Sequence, residues 1–299
     1  MSVNPHIRRA GVALRDVRRV VGIRRTCGAS YAAAWTGTAR HLIHPRRTIL
    51  FGPQRPMWLY MVFKLSALAG YRVETNPLRR HDVVFRFRDA TFDDSLLLPG
   101  PDGRVINGDA RDVSKAFVQQ CWGAAAGYPL VIDPRRHVGL AVCKANANAQ
   151  HNGRVVECPI TDVVPGCVYE RLVDNTSHPG VVMEYRVPIH GDAIPLVYLK
   201  YRPANLRFDP RLNTHVAVAT TSSVFTHDEQ VALLRCARLM GIDFGEMDVL
   251  RDANDGRIYA VDVNNTPCGP PAPLSAGDKA HALTTLATSF RHLVESFHQ

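Results

Sequence analysis

Two neighbouring segments near the end of the chain constrain the fold more than any other feature. Residues Gly245–Arg251 and Arg257–Asn264 alternate apolar and polar side chains, and the segment Ala253–Gly256 between them ends in Asp-Gly. Alternation with a period of two predicts β-strands, and Asp-Gly between two such strands predicts a hairpin. We therefore expect an antiparallel strand pair with one polar face.

Three oxygen-bearing side chains on this hairpin indicate a metal site. Asp248 lies on the first strand, whereas Asp262 and Asn264 lie two positions apart on the second and so share a face. If the strands pair across the turn, the three side chains converge. Mg²⁺ prefers such ligands and commonly uses only one or two carboxylates, while substrate phosphates fill the remaining positions. The alternative is that both aspartates face solvent on an ordinary hairpin.

Composition limits the class of protein. The chain has 299 residues, of which 46% are hydrophobic, so two or three packed subdomains are expected. Its 7 cysteines contain no Cys-x-x-Cys pattern, and neither a zinc knuckle nor a disulfide framework is indicated. The longest apolar run, Met57–Gly70, is shorter than the roughly 20 residues that a bilayer requires. We expect a cytoplasmic protein without a membrane span.

The excess of positive charge lies at one end of the chain. Residues 1–47 contain ten arginines and one acid, and they account for the whole net charge of +9. Apolar residues recur mostly at helical spacing over Ile7–Ile23, which predicts a basic amphipathic helix. Three uses stay open: docking on the protein itself or on a second subunit of a homo-oligomer, contact with nucleic acid or an anionic surface, and organelle targeting.

The remaining chain divides at a segment rich in proline and glycine, residues Pro99–Gly103. Before it, strand and helix patterns alternate, which predicts a small parallel α/β layer of Thr48–Pro53, Pro56–Ala69 (helix), Tyr71–Thr75 and Asp82–Phe87. After it, strands predominate between three helices. The predicted strands are Gly139–Lys144, Val168–Val173, Val181–Ile189 and Ile194–Tyr201, and the helices are Val113–Ala126, Asp228–Met240 and Ser275–Phe297.

The segment Gly241–Arg251, followed by Tyr259–Pro267, resembles the C-terminal signature of the ATP-grasp superfamily, in particular its ribosomal-protein glutamate ligase and glutathione synthetase branch. That signature has an acid on one strand, then acid-x-Asn and a Pro/Gly turn on the next. The second acid is more often Glu in the family and is Asp262 here. The resemblance implies an α/β (α+β) ATP-grasp fold: a basic segment at 1–47, a pre-ATP-grasp domain at 48–105, and two α+β subdomains at 106–299 with a hinge near 168–175.

The resemblance also implies roles for residues along the chain. Asp248, Asp262 and Asn264 would hold one or two Mg²⁺ ions, for which Mn²⁺ could substitute. Further residues would bind the nucleotide: Lys115 and Lys144 its phosphates, and the hinge residues Glu170, Leu172, Val173 and Asp174 its adenine and ribose. The segment Ala145–Gly153 takes the place of a glycine- and serine-rich lid, and His151 would bind phosphate or substrate there. For each residue, an ordinary surface position is the alternative.

A set of cations lies between the hinge and the closing hairpin. By the same resemblance, Arg186, Lys200 and Arg207 are candidate catalytic residues, and Arg202 is a candidate nucleotide ligand. Such a set could neutralise charge that develops during phosphoryl transfer, in which catalysis is mostly positioning and electrostatics. A solvated basic strand is the alternative.

The resemblance implies an ATP- and Mg²⁺-dependent carboxylate–amine ligase that forms an amide or peptide bond through an acyl phosphate. Its substrates would be small-molecule or peptide carboxylates and amines. Two alternatives stay open: a small-molecule kinase on the same fold, and a non-catalytic nucleotide-binding regulatory module whose N-terminal helix contacts nucleic acid. A kinase would retain the phosphoryl group on its acceptor, and a regulatory module would bind ATP without turnover.

Overall fold

A computed structural model describes residues 47–96, 100–101, 103–150, 152–209 and 212–297. The predicted amphipathic helix at Ile7–Ile23 and the candidate ligand His151 lie outside these residues. Within them, no helix combines the length and apolar character that crossing a membrane requires.

The first part of the chain forms the predicted parallel α/β layer. Its elements are β1 (Thr48–Pro53), α1 (Met61–Ala69), β2 (Arg72–Glu74), β3 (Val83–Phe87) and β4 (Val105–Ile106). The strands pair in parallel in the order β2-β1-β3-β4. Helix α1 ends at Gly70, whose φ of 82° is the left-handed conformation that glycine adopts without a steric penalty.

A small antiparallel sheet follows. Helix α2 (Lys115–Ala126) begins after Ser114, whose side chain accepts a hydrogen bond from the backbone N–H of Phe117 at 3.4 Å. This contact satisfies one of the free donors at the helix start. The next strands are β5 (Gly139–Ala145), β6 (Arg154–Cys158) and β7 (Cys167–Arg171), and they pair in the order β6-β5-β7.

The second half of the chain builds a larger antiparallel sheet. Its strands pair in the order β11-β10-β9-β12-β13, with β8 added against β9. The strands are β8 (Thr176–His178), β9 (Val181–His190), β10 (Val197–Pro203), β11 (His215–Ala219), β12 (Phe244–Arg251) and β13 (Ile258–Asn264). The helices are α3 (Thr221–Val224), α4 (His227–Leu239) and α5 (Ala276–Ser296), and a short 3₁₀ turn spans Ala204–Leu206.

Alternation along the central strands separates the core from the site. On β12, Met247 and Val249 are fully buried in a core cluster with residues of α2 and α4, such as Trp122 and Leu233. Successive side chains of a strand point to opposite faces, so Glu246 and Asp248, which alternate with these two residues, lie on the other face of the sheet. At the start of β12, Phe244 belongs to a second cluster that includes α1, α5 and the parallel layer. The polar face of β12 therefore starts where this second core ends.

Two elements begin three or more residues later than predicted. Helix α1 begins at Met61 rather than Pro56, because the chain first makes a turn in which the Tyr60 N–H bonds to the Met57 carbonyl at 3.1 Å. Strand β10 begins at Val197 rather than Ile194. Pro195 has no N–H to donate to the ladder, which delays pairing.

Candidate active site

The closing hairpin brings the predicted metal ligands together. Strands β12 and β13 are antiparallel, and their register sets Asp248 opposite Asp262 and Glu246 opposite Asn264, with a β-bulge directly after Asp248. All four side chains line one cleft with a volume of about 470 Å³. The hairpin geometry that the sequence indicates therefore gathers two carboxylates and an amide on one wall.

Asp248 is held by a bidentate contact from the neighbouring strand. Arg186 on β9 donates from Nε to Oδ1 at 2.9 Å and from a terminal nitrogen to Oδ2 at 3.0 Å. Burial alone would raise the pKa of Asp248, but Arg186 and then Lys200 outweigh it and hold that pKa well below its usual range. Asp248 is therefore ionised at any pH at which the protein functions.

Asp262 lacks so close a partner. Its nearest cation is Lys115, with Nζ 3.6 Å from Oδ2. Burial raises the pKa of Asp262, against the opposing effect of Lys115 and Lys144. Lys115 and Lys144 do not fully offset the effect of burial on the ionised form of Asp262. Further positive charge would therefore stabilise that form.

The donor set fits Mg²⁺ on chemical grounds. Among the described residues, no three His, Cys, Asp or Glu side chains form a metal-binding cluster. Asp248, Asp262 and Asn264 instead offer two carboxylates and one amide oxygen, and Mg²⁺ commonly takes one or two carboxylates plus phosphate oxygens. Asn264 Oδ1 accepts a hydrogen bond from the Thr266 N–H at 2.8 Å, which fixes the direction of the amide.

Five of the predicted cations line the same cleft, namely Lys115, Lys144, Arg186, Arg202 and Arg207. Lys144 lies on β5, where its Nζ is 2.7 Å from Glu170 Oε2 and donates to the Val261 carbonyl at 2.8 Å. Arg207 donates to the Val173 carbonyl at 3.0 Å, and burial lowers its pKa. These cations from separate strands and a helix meet around one volume, which suits a polyanionic ligand.

Lys200 does not line that cleft. Its side chain is only 2% exposed, pairs with Glu184 on β9, and lies 3.6 Å from Asp248 Oδ1. From this position Lys200 contacts Glu184 and Asp248, which line the cleft, and does not line the cleft itself.

A smaller and more apolar cleft of about 120 Å³ adjoins the first. The predicted hinge residues Glu170, Leu172 and Val173 line it, and it shares Lys144, Glu184, Arg202, Arg207, Phe208 and Val261 with the larger cleft. Its remaining lining residues are four apolar side chains, Leu130, Val142, Val182 and Leu250, together with Arg171 and Asn175. A flat aromatic base suits such a cleft, with its polar groups directed at the strand edge.

Asp174 lines neither cleft, although the sequence places it in the hinge. Its Oδ1 accepts a hydrogen bond from the Thr176 N–H at 3.1 Å, two residues further along. This turn commits the carboxylate to the backbone, and hydrogen bonds from Thr176 lower its pKa. The structure therefore does not bring Asp174 to the other predicted nucleotide ligands.

The loop after β5 lies over the larger cleft. Asn148 and Gly153 line the cleft, and the Asn148 N–H donates to Thr91 Oγ1 at 2.9 Å. A Cβ at position 153 would lie 2.8 Å from a ring carbon of Phe208, so only glycine fits without rearrangement. The loop thus contacts both the parallel layer and the segment after β10.

Sequence reasoning missed several residues that line the larger cleft: Asp89, Glu184, Phe208, Glu246, Thr266 and Cys268. Glu246 is the most unusual, because its side chain is 5% exposed and its Oε2 has no hydrogen-bond partner. Burial raises the pKa of Glu246 to about 7, against the opposing effect of Arg186. Its position two residues before Asp248 on one strand was a signal, since such residues share a face.

Comparison with known proteins bears on the fold of the chain alone. No protein-family model matches the chain, and no curated protein matches it. Among solved structures, the ATP-grasp ligase PsnB complexed with minimal precursor, Mg and ADP is 14% identical over 81% of this chain and 98% of that chain, with a TM-score of 0.50. The chain has the ATP-grasp fold.

Two further ATP-grasp structures show the same coverage at similar identity. D-cycloserine synthetase DcsG is 13% identical over 83% of this chain and 99% of that chain, with a TM-score of 0.48. D-alanine–D-alanine ligase from Bacillus anthracis is 11% identical over 84% of this chain and 96% of that chain, with a TM-score of 0.47. The similarity to PsnB confirms the predicted ATP-grasp fold.

Proposed function

We propose that the protein is an ATP- and Mg²⁺-dependent ligase that joins a carboxylate to an amine. The observation that carries the proposal is the convergence of Asp248, Asp262 and Asn264 with Lys115 and Lys144 around one cleft. Hard oxygen ligands opposite phosphate-binding cations suit a metal–nucleotide complex. No nucleophile with a base partner is needed, because such chemistry depends on positioning and charge.

The nucleotide lies across both clefts in this proposal. The base occupies the smaller apolar cleft beside Leu172 and Val173, and the triphosphate extends past Lys144 into the larger cleft. Arg207 borders both clefts and contacts the phosphates. Asp248, Asp262 and Asn264 hold Mg²⁺, which when bound neutralises phosphate charge and aligns the terminal phosphoryl group.

The reaction divides amide formation into two easier steps. An oxygen of the carboxylate attacks the terminal phosphorus of ATP, the bond to ADP breaks, and an acyl phosphate forms. The amine nitrogen then attacks the acyl carbon, and inorganic phosphate leaves with the electron pair of the C–O bond while the nitrogen loses a proton. Arg186 and Arg207 balance the negative charge on the transferring group.

The substrates in this proposal are small-molecule or peptide carboxylates and amines. The PsnB structure, whose fold this chain shares, is a complex with a minimal precursor, Mg and ADP. The larger cleft is open along Asp89, Thr91 and Cys268, all of which line it. This opening allows part of a long substrate to lie outside the cleft.

An ADP-release screen against pools of carboxylates and amines tests the proposal. Product masses should show condensation with loss of water and release of free phosphate, and Asp262→Asn should abolish turnover. A matched control is Glu157→Gln on β6, whose side chain is exposed outside both clefts. A phosphorylated acceptor would indicate a kinase, ATP binding without turnover would indicate a regulatory module, and full activity of Asp262→Asn would remove the site assignment.

A further inference from the structure

The register of the central strands gives the cleft a direction. On β12, Leu250 lines the smaller cleft, Asp248 lies at the metal site, and Glu246 comes next along the same face. A strand rises about 3.4 Å per residue, so Glu246 lies roughly 7 Å beyond Asp248 on the side away from the base. A nucleotide placed as proposed would direct its terminal phosphate toward Glu246.

This far end of the cleft is acidic. Glu246 and Asp89 both line it, with Thr266 and Cys268 between the strand and the parallel layer. Burial raises the pKa of the Cys268 thiol, and the charges of Asp89 and Glu246 raise it further against the effect of Lys64. Both acids and this thiol line the same cleft.

The protein does not fully compensate Glu246. Its Oε2 lies 3.5 Å from Arg186 Nε without a hydrogen bond, because that nitrogen already donates to Asp248. Lys64 also acts on Glu246, but its ammonium donates to the backbone carbonyls of Leu59 and Gly269. A buried carboxylate oxygen without a hydrogen bond is costly unless a ligand supplies a donor.

Asp89 has remaining capacity for a ligand. Its two oxygens accept hydrogen bonds from the Tyr60 hydroxyl at 2.6 Å and from the Thr266 hydroxyl at 3.3 Å. An ionised carboxylate offers about four acceptor positions, so further donors can bind. Its side chain is exposed, in contrast to Glu246.

We propose that Glu246 and Asp89 form the subsite that binds the protonated amino group of the amine substrate. This inference rests on the proposed ligase function and specifies which substrate occupies which end of the cleft. A second carboxylate would be repelled by two acids, whereas an ammonium group offers three donors to acceptors on both walls. The amine is thereby held beyond the terminal phosphate, next to the acyl group, and the bound ammonium releases a proton to water before its nitrogen attacks the acyl carbon.

Binding of simple amines tests the subsite without turnover. We would measure saturation-transfer NMR of methylamine, ethanolamine, glycinamide and alaninamide, each beside its neutral counterpart with a hydroxyl in place of the amino group. The protein would be saturated with Mg²⁺ and a non-hydrolysable ATP analogue. Variants would be Glu246→Gln, Asp89→Asn and the control Glu157→Gln.

The inference predicts that the amines bind and their neutral counterparts do not. Glu246→Gln should weaken amine binding at least tenfold, Asp89→Asn should weaken it severalfold, and the control should leave it unchanged. Calorimetry should give the same Mg²⁺–nucleotide affinity in all variants within twofold, which also reports that each is folded. Since Asp89 is exposed, Asp89→Asn tests the subsite even if Glu246→Gln does not fold.

Three results would overturn the subsite: no binding of any amine, equal binding of amines and neutral counterparts, or unchanged binding in both variants. Loss of Mg²⁺–nucleotide affinity in a folded Glu246→Gln would assign that side chain to the metal instead. Failure of the proposed function is a separate result. If amines bind through Glu246 but no carboxylate causes ADP release, the amine subsite stands and the proposed ligase function is wrong.

Discussion

Lys144 and Glu170 form a buried ion pair that lines the smaller cleft. The Lys144 Nζ lies 2.7 Å from Glu170 Oε2, and Glu170 is 3% exposed. Burial raises the pKa of Glu170, and Lys144 opposes that shift. The lysine thus has two roles, since it stabilises a buried acid and presents positive charge to the cleft.

Replacing Lys144 by Met should therefore destabilise the protein even without nucleotide. Removal of one partner of a buried pair costs roughly 3–5 kcal/mol, whereas an exposed pair contributes about 1 kcal/mol or less. Urea denaturation would measure the loss, and Lys144→Met/Glu170→Gln should recover most of it. The control is Arg136→Met, which breaks the exposed pair with Asp133. A loss below about 1 kcal/mol for Lys144→Met would contradict the buried-pair account.

Glu246 predicts a pH dependence of stability. Burial raises the pKa of Glu246 from its ordinary value of 4.5 to about 7 in the folded protein. A raised acid pKa means that the contribution to stability is complete below pH 4.5 and is lost as the pH rises to about 7. Wild type should therefore lose about 3 kcal/mol relative to Glu246→Gln over that range, since one pKa unit equals about 1.4 kcal/mol.

Parallel urea titrations of both proteins from pH 4.5 to 8, without Mg²⁺ or nucleotide, would measure this difference. Other titrating groups are common to both proteins and cancel. A difference in unfolding free energy that does not change with pH would show that Glu246 is not strained by burial.

Individual residues of the site were predictable where the period of two along a strand determines which side chains share a face. Asp262 and Asn264 lie two apart on one strand, and the pattern set them on the same face as Asp248. Glu246 was missed because an acid on an amphipathic strand is usually exposed to solvent. The packing that buries this side chain is visible only in the structure. Asp174 illustrates the reverse, since a local turn with Thr176 determines the direction of its side chain.

At the scale of elements, the turn from α4 into β12 sets the position of the β12–β13 hairpin, which carries the proposed metal ligands. Gly241 has a φ of +70°, and a Cβ there would lie 2.5 Å from the Asp109 carbonyl carbon. Asn107 completes the junction, because its Oδ1 accepts from the Asp243 and Phe244 N–H groups at 2.8 and 2.7 Å. The start of β12 is therefore fixed from both sides.

Gly241→Ala should destabilise the protein by on the order of 2–4 kcal/mol, because it adds left-handed backbone strain to a steric clash. Thermal unfolding would measure the change. Gly256→Ala is a matched control with a φ of +71° but no atom within 4 Å of the added Cβ, so it carries the strain alone. Equal losses in the two variants would show that the close approach to Asp109 has no energetic weight.

Boundaries of elements were less predictable than their order. The local sequence pattern does not reveal that Tyr60 pairs with Cys268, which lies far along the chain. This isolated bridge delays the start of α1. Such long-range pairing overrides local propensity. The hairpin of β12 and β13 was predictable because its turn and its alternation are both local.

At the scale of the whole molecule, an aromatic cluster joins the parallel layer to the larger sheet. Phe244 on β12 contacts Phe85 on β3 and Phe290 on α5, with ring centroids 5.6 and 5.5 Å apart. His190 stacks on Phe244 at 4.9 Å, and burial lowers its pKa to about 3. The two layers that enclose the cleft thus share one core.

Phe290→Ala should reduce the free energy of unfolding by about 3–5 kcal/mol, since a fully buried ring leaves a cavity. Urea denaturation would show the loss, and Leu78→Ala, at a side chain that is 93% exposed, should change stability by less than about 0.5 kcal/mol. A small loss for Phe290→Ala, comparable to that of the control, would mean that the layers are not joined through this core.

The central claim is that Asp248, Asp262 and Asn264 hold a divalent cation on the phosphates of ATP. Calorimetric titration with ATP, in Mg²⁺ and in EDTA, tests it directly on wild type, Asp262→Asn and Glu157→Gln. The account predicts binding at least tenfold tighter with Mg²⁺ for wild type and the control, and loss of that difference in Asp262→Asn. Equal affinity with and without Mg²⁺, or an undiminished metal effect in Asp262→Asn, would contradict it.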